Sequence, residues 1–367
     1  MKNPNIKIFD LKEQYKHISG EIEKDVLKVL RSGQYILGPN VIKIEKKFSK
    51  FLNTKYAVSC NSGTDALLIS LKCLGIKKND EIITSPFTYF ATAEVIAQLG
   101  AKPIFADINI DTFNLDPIQI EKLITKKTKA IIPVHIFGQP ADMNSIIKIA
   151  KQHKLKVIED CAQSFGSKIK SKMTGTFGNF GCFSFFPTKN LGTAGDGGML
   201  VTDNQSYYNK ALKLRNHGGL ERNIHNYLGY NSRLDEIQAA ILNIKIKYIT
   251  MFNKKRNRIA NYYKKNIQNN RVITQKIVKD NYNVYHQYTI RVKNRKKFTN
   301  YLQEHNIPFG IYYPKPLYMQ KAFNGIIKVK KLPHVEKICK ECISLPIYPE
   351  LDNLSIEYIS SIINKYK

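Results

Sequence analysis

Residues 184–198 read SFFPTKNLGTAGDGG, and this stretch decides the fold because it sets one lysine, Lys189, between an aromatic run and a glycine-rich turn. Upstream, residues 157–166 read VIEDCAQSFG. There Asp160 and Gln163 follow a short apolar strand and stand at its C-terminal mouth, where open α/β sheets bind their ligands. An acid, an amide and a lysine converging on such a mouth suit pyridoxal phosphate. The acid faces the pyridinium nitrogen, the amide the ring oxygen, and the amine condenses with the aldehyde. Glu159, one residue from Asp160, is expected to point the other way, since strand side chains alternate. Lys189 must be neutral to react, so its pKa has to lie well below that of a free lysine, through desolvation and a neighbouring positive ring.

Working outward, short apolar runs alternate with longer amphipathic ones: YAVSC then TDALLISLKCLG, EIITSP then ATAEVIAQLG, KPIFADI then DPIQIEKLI, KAIIPVHIFG then MNSIIKIAKQH, then KVIEDCA. That alternation predicts an α/β fold with a mostly parallel sheet covered by helices. FSFFP and GMLVTD add strands beside the lysine. Beyond them the pattern predicts one long helix running from GYNSRLDEIQAAIL through KKRNRIANYYKKN. A smaller α/β unit follows, with strands at VYHQYTIRV and around IPFGIYY, a helix at KKFTNYLQEHN and a terminal helix at SIEYISSIINKYK. A large domain over residues 1–250 and a small one over 251–367 are expected.

With 367 residues and 43% hydrophobic content the chain can bury a sizeable core, which excludes a disordered chain. The start, MKNPNIKIFDLKEQ, turns charged at once, and no apolar run reaches the ~18 residues of a membrane span, so a cytoplasmic protein is expected. The formal charge of +29 is spread as lysine along the whole chain and sits on no recognisable nucleic-acid reader. It marks a solvated surface that can steer an anionic substrate, not a nucleic-acid partner. Of the cysteines at 60, 73, 161, 182, 339 and 342, only Cys339 and Cys342 form a C-x-x-C pair. With no second pair or suitably spaced histidine, reduced thiols are expected and no metal site.

NSGTDALL sets Gly63 and Thr64 at a strand-to-helix turn, where amide donors and the Thr64 hydroxyl can face a phosphate; the same string is also an ordinary helix N-cap. Together with FDLKEQY, GQYILGP, PFTYFATAEVI, DINIDTFNLDP, IPVHIFGQPADM, EDCAQSFG, PTKNLGTAGDGG, RNHG, GYNSRLDEIQAAIL and SLPIYP, in order over nearly the whole length, it resembles the DegT/DnrJ/StrS family of nucleotide-sugar aminotransferases.

The resemblance implies a fold-type I pyridoxal-phosphate aminotransferase whose large domain carries a seven-stranded sheet, one strand antiparallel. It implies Lys189 and Asp160 as catalytic residues, with Gly63, Thr64 and Ser184 at the cofactor phosphate, Tyr89 stacked on the pyridine ring and Gln163 at its oxygen. Asn231 would reach the phosphate of the other subunit's cofactor, making a homodimer with shared sites. Tyr35, His217, Arg233, Tyr312 and Tyr313 would contact substrate. The implied reaction moves an amino group, from L-glutamate, to a keto carbon of a nucleotide-linked hexose for surface-polysaccharide or glycoconjugate synthesis. PTKNLGTAGDGG is similar to relatives acting on 3-keto sugars, which favours C3 over the alternative, C4. Tyr312 and Tyr348 stand where many relatives have histidine and leave the sugar open. A dehydratase branch replaces the lysine with histidine, and a regulatory protein on the same fold would have lost these groups; the intact Lys189 argues against both.

Overall fold

The computed structural model describes residues 6–327 and 331–367. The first five residues, on which the charged start partly rests, lie outside them. In chain order, α1 (Leu11–Ser32) and α2 (Pro39–Leu52) lead into β1 (Tyr56–Cys60), α3 (Gly63–Cys73), β2 (Glu81–Thr84), α4 (Ala91–Gln98) and β3 (Lys102–Phe105). Then come α5 (Pro117–Glu121), β4 (Thr128–Ile132), α6 (Met143–Gln152), β5 (Lys156–Asp160), the short β6 (Lys168–Ile169) and β7 (Lys172–Met173), β8 (Phe180–Ser184) and β9 (Gly198–Thr202). β1 to β5, β8 and β9 build one seven-stranded sheet in the order β1-β9-β8-β5-β4-β2-β3. β9 runs antiparallel to both of its neighbours, and the pairs from β8 to β3 are parallel.

The strands read as unbroken apolar runs because both faces of the sheet are covered. Val58, Ile158, Cys182 and Leu200 pack with α3 on one face, whereas their sequence neighbours Ala57, Phe183, Met199 and Val201 pack with Val41, Ile44 and Phe48 of α2 on the other. Further along the sheet, Ile83, Ile131 and Val157 meet Met143 and Ile146 of α6. The period of two thus assigns each strand residue to a core.

After β9 the chain forms α7 (Gln205–Leu214), α8 (Glu236–Lys245) and α9 (Ile249–Asn266), then β10 (Ile273–Thr274), β11 (Asn281–Tyr282), β12 (Tyr288–Arg291), α10 (Arg295–Glu304), α11 (Pro333–Glu341), β13 (Cys342–Leu345) and α12 (Asn353–Lys365). β10, β12 and β13 make an antiparallel sheet. Its core joins Ile259 and Tyr263 of α9, Phe298 and Leu302 of α10, Ile359 and Ile363 of α12, and Ile6 from the chain's start.

Two expectations need correction. The long helix is broken between Lys245 and Ile249: Lys247 N–H and Tyr248 N–H bond three residues back, tightening the turn. The tightened turn lets the Lys247 and Tyr248 side chains reach Glu21 of α1. Around IPFGIYY the strand shrinks to a single bridge, Gly310 to Ser344, because Pro308, Pro314 and Pro316 lack the N–H that a ladder requires. All six cysteines are buried and free. No helix among the described residues is long and apolar enough to cross a membrane.

Gly198 is where β9 crosses the entry to α3. A Cβ there would lie 2.1 Å from the Ser62 carbonyl oxygen and 2.8 Å from Gly63 N, both backbone atoms that have nowhere to go. Gly198→Ala is therefore expected to lower unfolding stability by about 1–3 kcal/mol and to weaken cofactor binding at the displaced helix start. Urea denaturation together with a cofactor titration checks both.

Candidate active site

Three C-terminal strand ends meet a cavity of about 660 Å³. Asp160 closes β5, Ser184 closes β8, and the turn after β1 delivers Gly63 and Thr64 at the start of α3. Ser62 caps that helix by accepting the Asp65 N–H at 3.1 Å, a bond that does not engage the amides of Gly63 and Thr64 in between. The positive end of the helix therefore faces the cavity. Only glycine fits at position 63, since a Cβ would stand 2.6 Å from that of Ser184.

Asp160 and Glu159 illustrate the strand's alternation. Glu159 turns away from the cavity, accepting N–H bonds from Gly175, Phe177 and Gly178 at 2.6–2.8 Å and facing His135 Nε2 at 3.0 Å. His135 Nδ1 accepts from Ala141 N–H, so Nε2 is the donor in that pair. Glu159, His135 and Cys161 approach one another closely enough to suggest a metal site, but the Glu159 oxygens are already spent on these donors. Asp160 instead lines the cavity, with Oδ2 accepting from the Thr92 hydroxyl at 2.8 Å and Oδ1 from Ala162 N–H at 3.1 Å. Burial pushes its pKa up, and these two bonds and the nearby Lys189 pull it back. A buried carboxyl so placed calls for a cationic partner, which a pyridinium nitrogen supplies.

Lys189 follows a tight turn in which its N–H bonds the Phe186 carbonyl. Its side chain lines the cavity but is otherwise enclosed by protein, and burial lowers its pKa to about 8, with Asp160 acting in the opposite sense. Gln163 Oε1 accepts the Phe137 N–H at 2.7 Å, and its Nε2 donates to the Tyr313 hydroxyl at 3.0 Å. That fixes the amide's orientation. Tyr89 is 63% exposed at the cavity wall, whereas Phe87 is buried edge-on against Phe113, Phe137 and Tyr313, and Phe90 packs on Phe323. Of the three rings, Tyr89 alone is free to be covered by a planar ligand. Together, an amine, a buried acid, an oriented amide, an exposed ring and a helix start fit pyridoxal phosphate.

Not every anticipated residue reaches this cavity within one chain. Tyr312 and Tyr313 line it; Tyr35, His217, Asn231 and Arg233 do not. Tyr35 lies on the loop before α2, with its carbonyl bound by Glu236 N–H. Asn231 is exposed and bridges to Asn216, whose side chain accepts from Arg233, and His217 N–H bonds the Tyr230 carbonyl. These last three form one cluster on the surface beside α8.

Sequence reasoning missed Thr92, Thr88 and His286. Thr88 and Thr92, whose hydroxyls are 3.1 Å apart, are one helical turn apart within PFTYFAT, and that i, i+4 spacing was the available signal. His286 had none, because it was expected inside a strand. β12 starts only at Tyr288, and in the loop before it His286 and Gln287 line the cavity.

The Lys189 pKa yields a direct check. In cofactor-free protein its amine is half-neutral near pH 8, so acylation at Lys189 is expected to reach half its limiting rate there, while solvated lysines need a pH near ~10.4. Peptide mapping after labelling across pH measures it.

The model of the DegT/DnrJ/EryC1/StrS aminotransferase family matches residues 16–364. A Geobacillus stearothermophilus protein named "Pleiotropic regulatory protein" is 44% identical over 97% of this chain and 96% of its own. A Pseudomonas aeruginosa UDP-2-acetamido-2-deoxy-3-oxo-D-glucuronate aminotransferase is 42% identical over 96% of this chain and 98% of its own. Among solved structures, S. venezuelae DesV in complex with a ketimine intermediate superposes with a TM-score of 0.96 at 34% identity, covering 99% of this chain and 98% of that one. With its lysine, acid and helix start gathered on one cavity, the chain belongs to the DegT/DnrJ/EryC1/StrS aminotransferase family and is a pyridoxal-phosphate-dependent aminotransferase.

Proposed function

We propose that this enzyme works in the cytoplasm, moving the amino group of L-glutamate to the C3 keto carbon of a nucleotide-linked hexose in surface-polysaccharide or glycoconjugate synthesis. The observation that carries the reading is the meeting of Lys189 and Asp160 on one cavity. The cofactor supplies an electrophilic carbon and a ring that takes up electrons. In this reading the Asp160 carboxylate holds the proton on the ring nitrogen, Gln163 fixes the ring oxygen, and Gly63, Thr64 and Ser184 hold the phosphate. Lys189 Nζ, neutral in part at neutral pH, would take up and return the proton that the amino donor gives up. Tyr312 and Tyr313 would contact the sugar.

Support for a 3-keto sugar comes from the string PTKNLGTAGDGG and from the Pseudomonas relative, whose name specifies a 3-oxo substrate. The likeness to a protein named as a regulator does not favour a non-catalytic reading, because the reactive groups are intact. The six free thiols suit a reducing compartment. Given L-glutamate and matched 3-keto and 4-keto nucleotide hexoses, the enzyme is expected to place nitrogen at C3, as located by NMR. Amination solely at C4 would overturn the position and leave transamination standing.

The division at residue 250 and the shared-site homodimer belong to the same proposal. Asn231, Arg233 and His217 lie away from their own chain's cavity, beside a loop that exposes Leu220, Ile224, Tyr227 and, at 89%, Leu228. Tyr35, Ile36 and Ile42 add a further exposed apolar group. Patches of this kind are a mark of protein contact. If the loop serves the other subunit, Lys189→Ala and Asn231→Asp homodimers should each be impaired. Mixing them with subunit exchange should then create one repaired site per heterodimer. Heterodimers that form without any gain in activity would refute shared sites.

A further inference from the structure

His286 is only 9% exposed, lines the cavity with Lys189, and has no place in the reading above. Its protonation pattern can be deduced from a buried chain of amides anchored at two backbone carbonyls. Asn253 Nδ2 donates to the Phe165 carbonyl at 3.0 Å, so Asn253 Oδ1 is an acceptor. It accepts from Asn190 Nδ2 at 2.8 Å, and the second hydrogen of Asn190 Nδ2 goes to the Val284 carbonyl at 3.0 Å. Asn190 must therefore present its oxygen to His286 Nδ1, 3.2 Å away, and Nδ1 must carry a hydrogen. Burial, the Lys189 charge and the Arg256 charge all press the imidazole well below its ordinary pKa. A neutral ring with a hydrogen on Nδ1 has a lone pair on Nε2, and among the described residues only Nδ1 has a hydrogen-bond partner.

We propose that His286 is a positioning residue for Lys189: its unpartnered Nε2 faces the cavity that the Lys189 amine also lines, and it accepts one N–H of that amine once the lysine side chain turns toward it, so that the nitrogen's own lone pair is aimed for attack. The proposal rests on Lys189 as the reactive amine. The links are short: Asn190, next to Lys189 in sequence, holds His286, and Asn253 of α9 holds Asn190. The lysine's loop and its acceptor are thereby fixed to one support. When Lys189 condenses with an aldehyde, a C=N bond forms, the C=O bond breaks, and two amine hydrogens leave with the oxygen as water. An amine free to rotate spends much of its time with its lone pair turned away, and misorientation of this kind can cost ~100-fold.

Two variants separate positioning from packing. His286→Asn keeps a donor where Nδ1 stood and loses the acceptor; His286→Gln keeps an acceptor near Nε2 and loses the donor to Asn190. Cofactor-free wild type and both variants, checked for fold by circular dichroism, are mixed with pyridoxal phosphate. Lysine condensation is followed by stopped-flow absorbance, with Lys189→Ala as control. The expected result is at least about tenfold slower condensation in His286→Asn, with His286→Gln close to wild type. The reverse order, equal slowing in both, or no slowing in either would overturn the proposal. Independently, solid-state NMR of wild type with 15N-labelled histidine is expected to show the neutral Nδ1–H form at His286. An Nε2–H form or an imidazolium would overturn it whatever the kinetics. If Lys189→Ala itself develops the lysine-type absorbance, the assignment of Lys189 fails, and the NMR result still decides the tautomer.

Discussion

Two neighbouring carboxylates at the end of β5 set the logic of this molecule. The sheet's alternation sends them to opposite faces, and each meets a different solution to the cost of a buried charge. Glu159 is surrounded by donors: three backbone N–H groups from residues 175–178 and the ring of His135. Those bonds pin the segment between β7 and β8 against β5, which sets the height at which β8 ends and hence where Ser184 stands. Asp160 receives only a hydroxyl and one N–H, so its burial leaves room for the cationic ring that the proposed function places there. One carboxylate is structural because it is saturated. The other lines the cavity with bonding capacity to spare.

Much of the cavity's lining was legible in the sequence because it is local. Lys189, Asp160, Gly63, Thr64 and Ser184 each lie at a strand end or the turn after it; the strand pattern marks the places of Asp160 and Lys189, whereas Ser184 and the choice of phosphate over a plain helix cap at Gly63 and Thr64 came from the family resemblance. The split between Glu159 and Asp160 followed from the same period. What stayed hidden depends on contacts distant in sequence. The Thr92 hydroxyl meets Asp160 across 68 positions and His286 meets Asn190 across 96. No propensity encodes either pairing.

The misread elements have equally physical causes. Residues 236–266 keep helical periodicity throughout, yet the backbone tightens at Lys247 and Tyr248, where both side chains meet Glu21 of α1. VYHQYTIRV has the composition of a strand, but Val284 N–H bonds the Gly138 carbonyl and Tyr285 N–H the Asn283 side chain. The ladder therefore begins late. That lost strand length is what brings His286 to the cavity.

The electrostatics of a chain with a net charge of +29 turn on which cations are denied water. Exposed lysines are screened and interchangeable; Lys189, Lys245 and Arg256 are not, since burial lowers the pKa of each. Arg256 meets that cost by donating to the carbonyls of Tyr285, His286 and Ile347, so the guanidinium organises the loop on which His286 stands. Lys189 has no comparable set of carbonyl acceptors among the described residues and faces Asp160 across a cavity. Its instability as an ammonium is therefore relieved by losing a proton, and that is the state its proposed role requires. The same low dielectric that makes Arg256 a brace favours the neutral amine at Lys189, and the difference lies in how many acceptors the backbone provides to each.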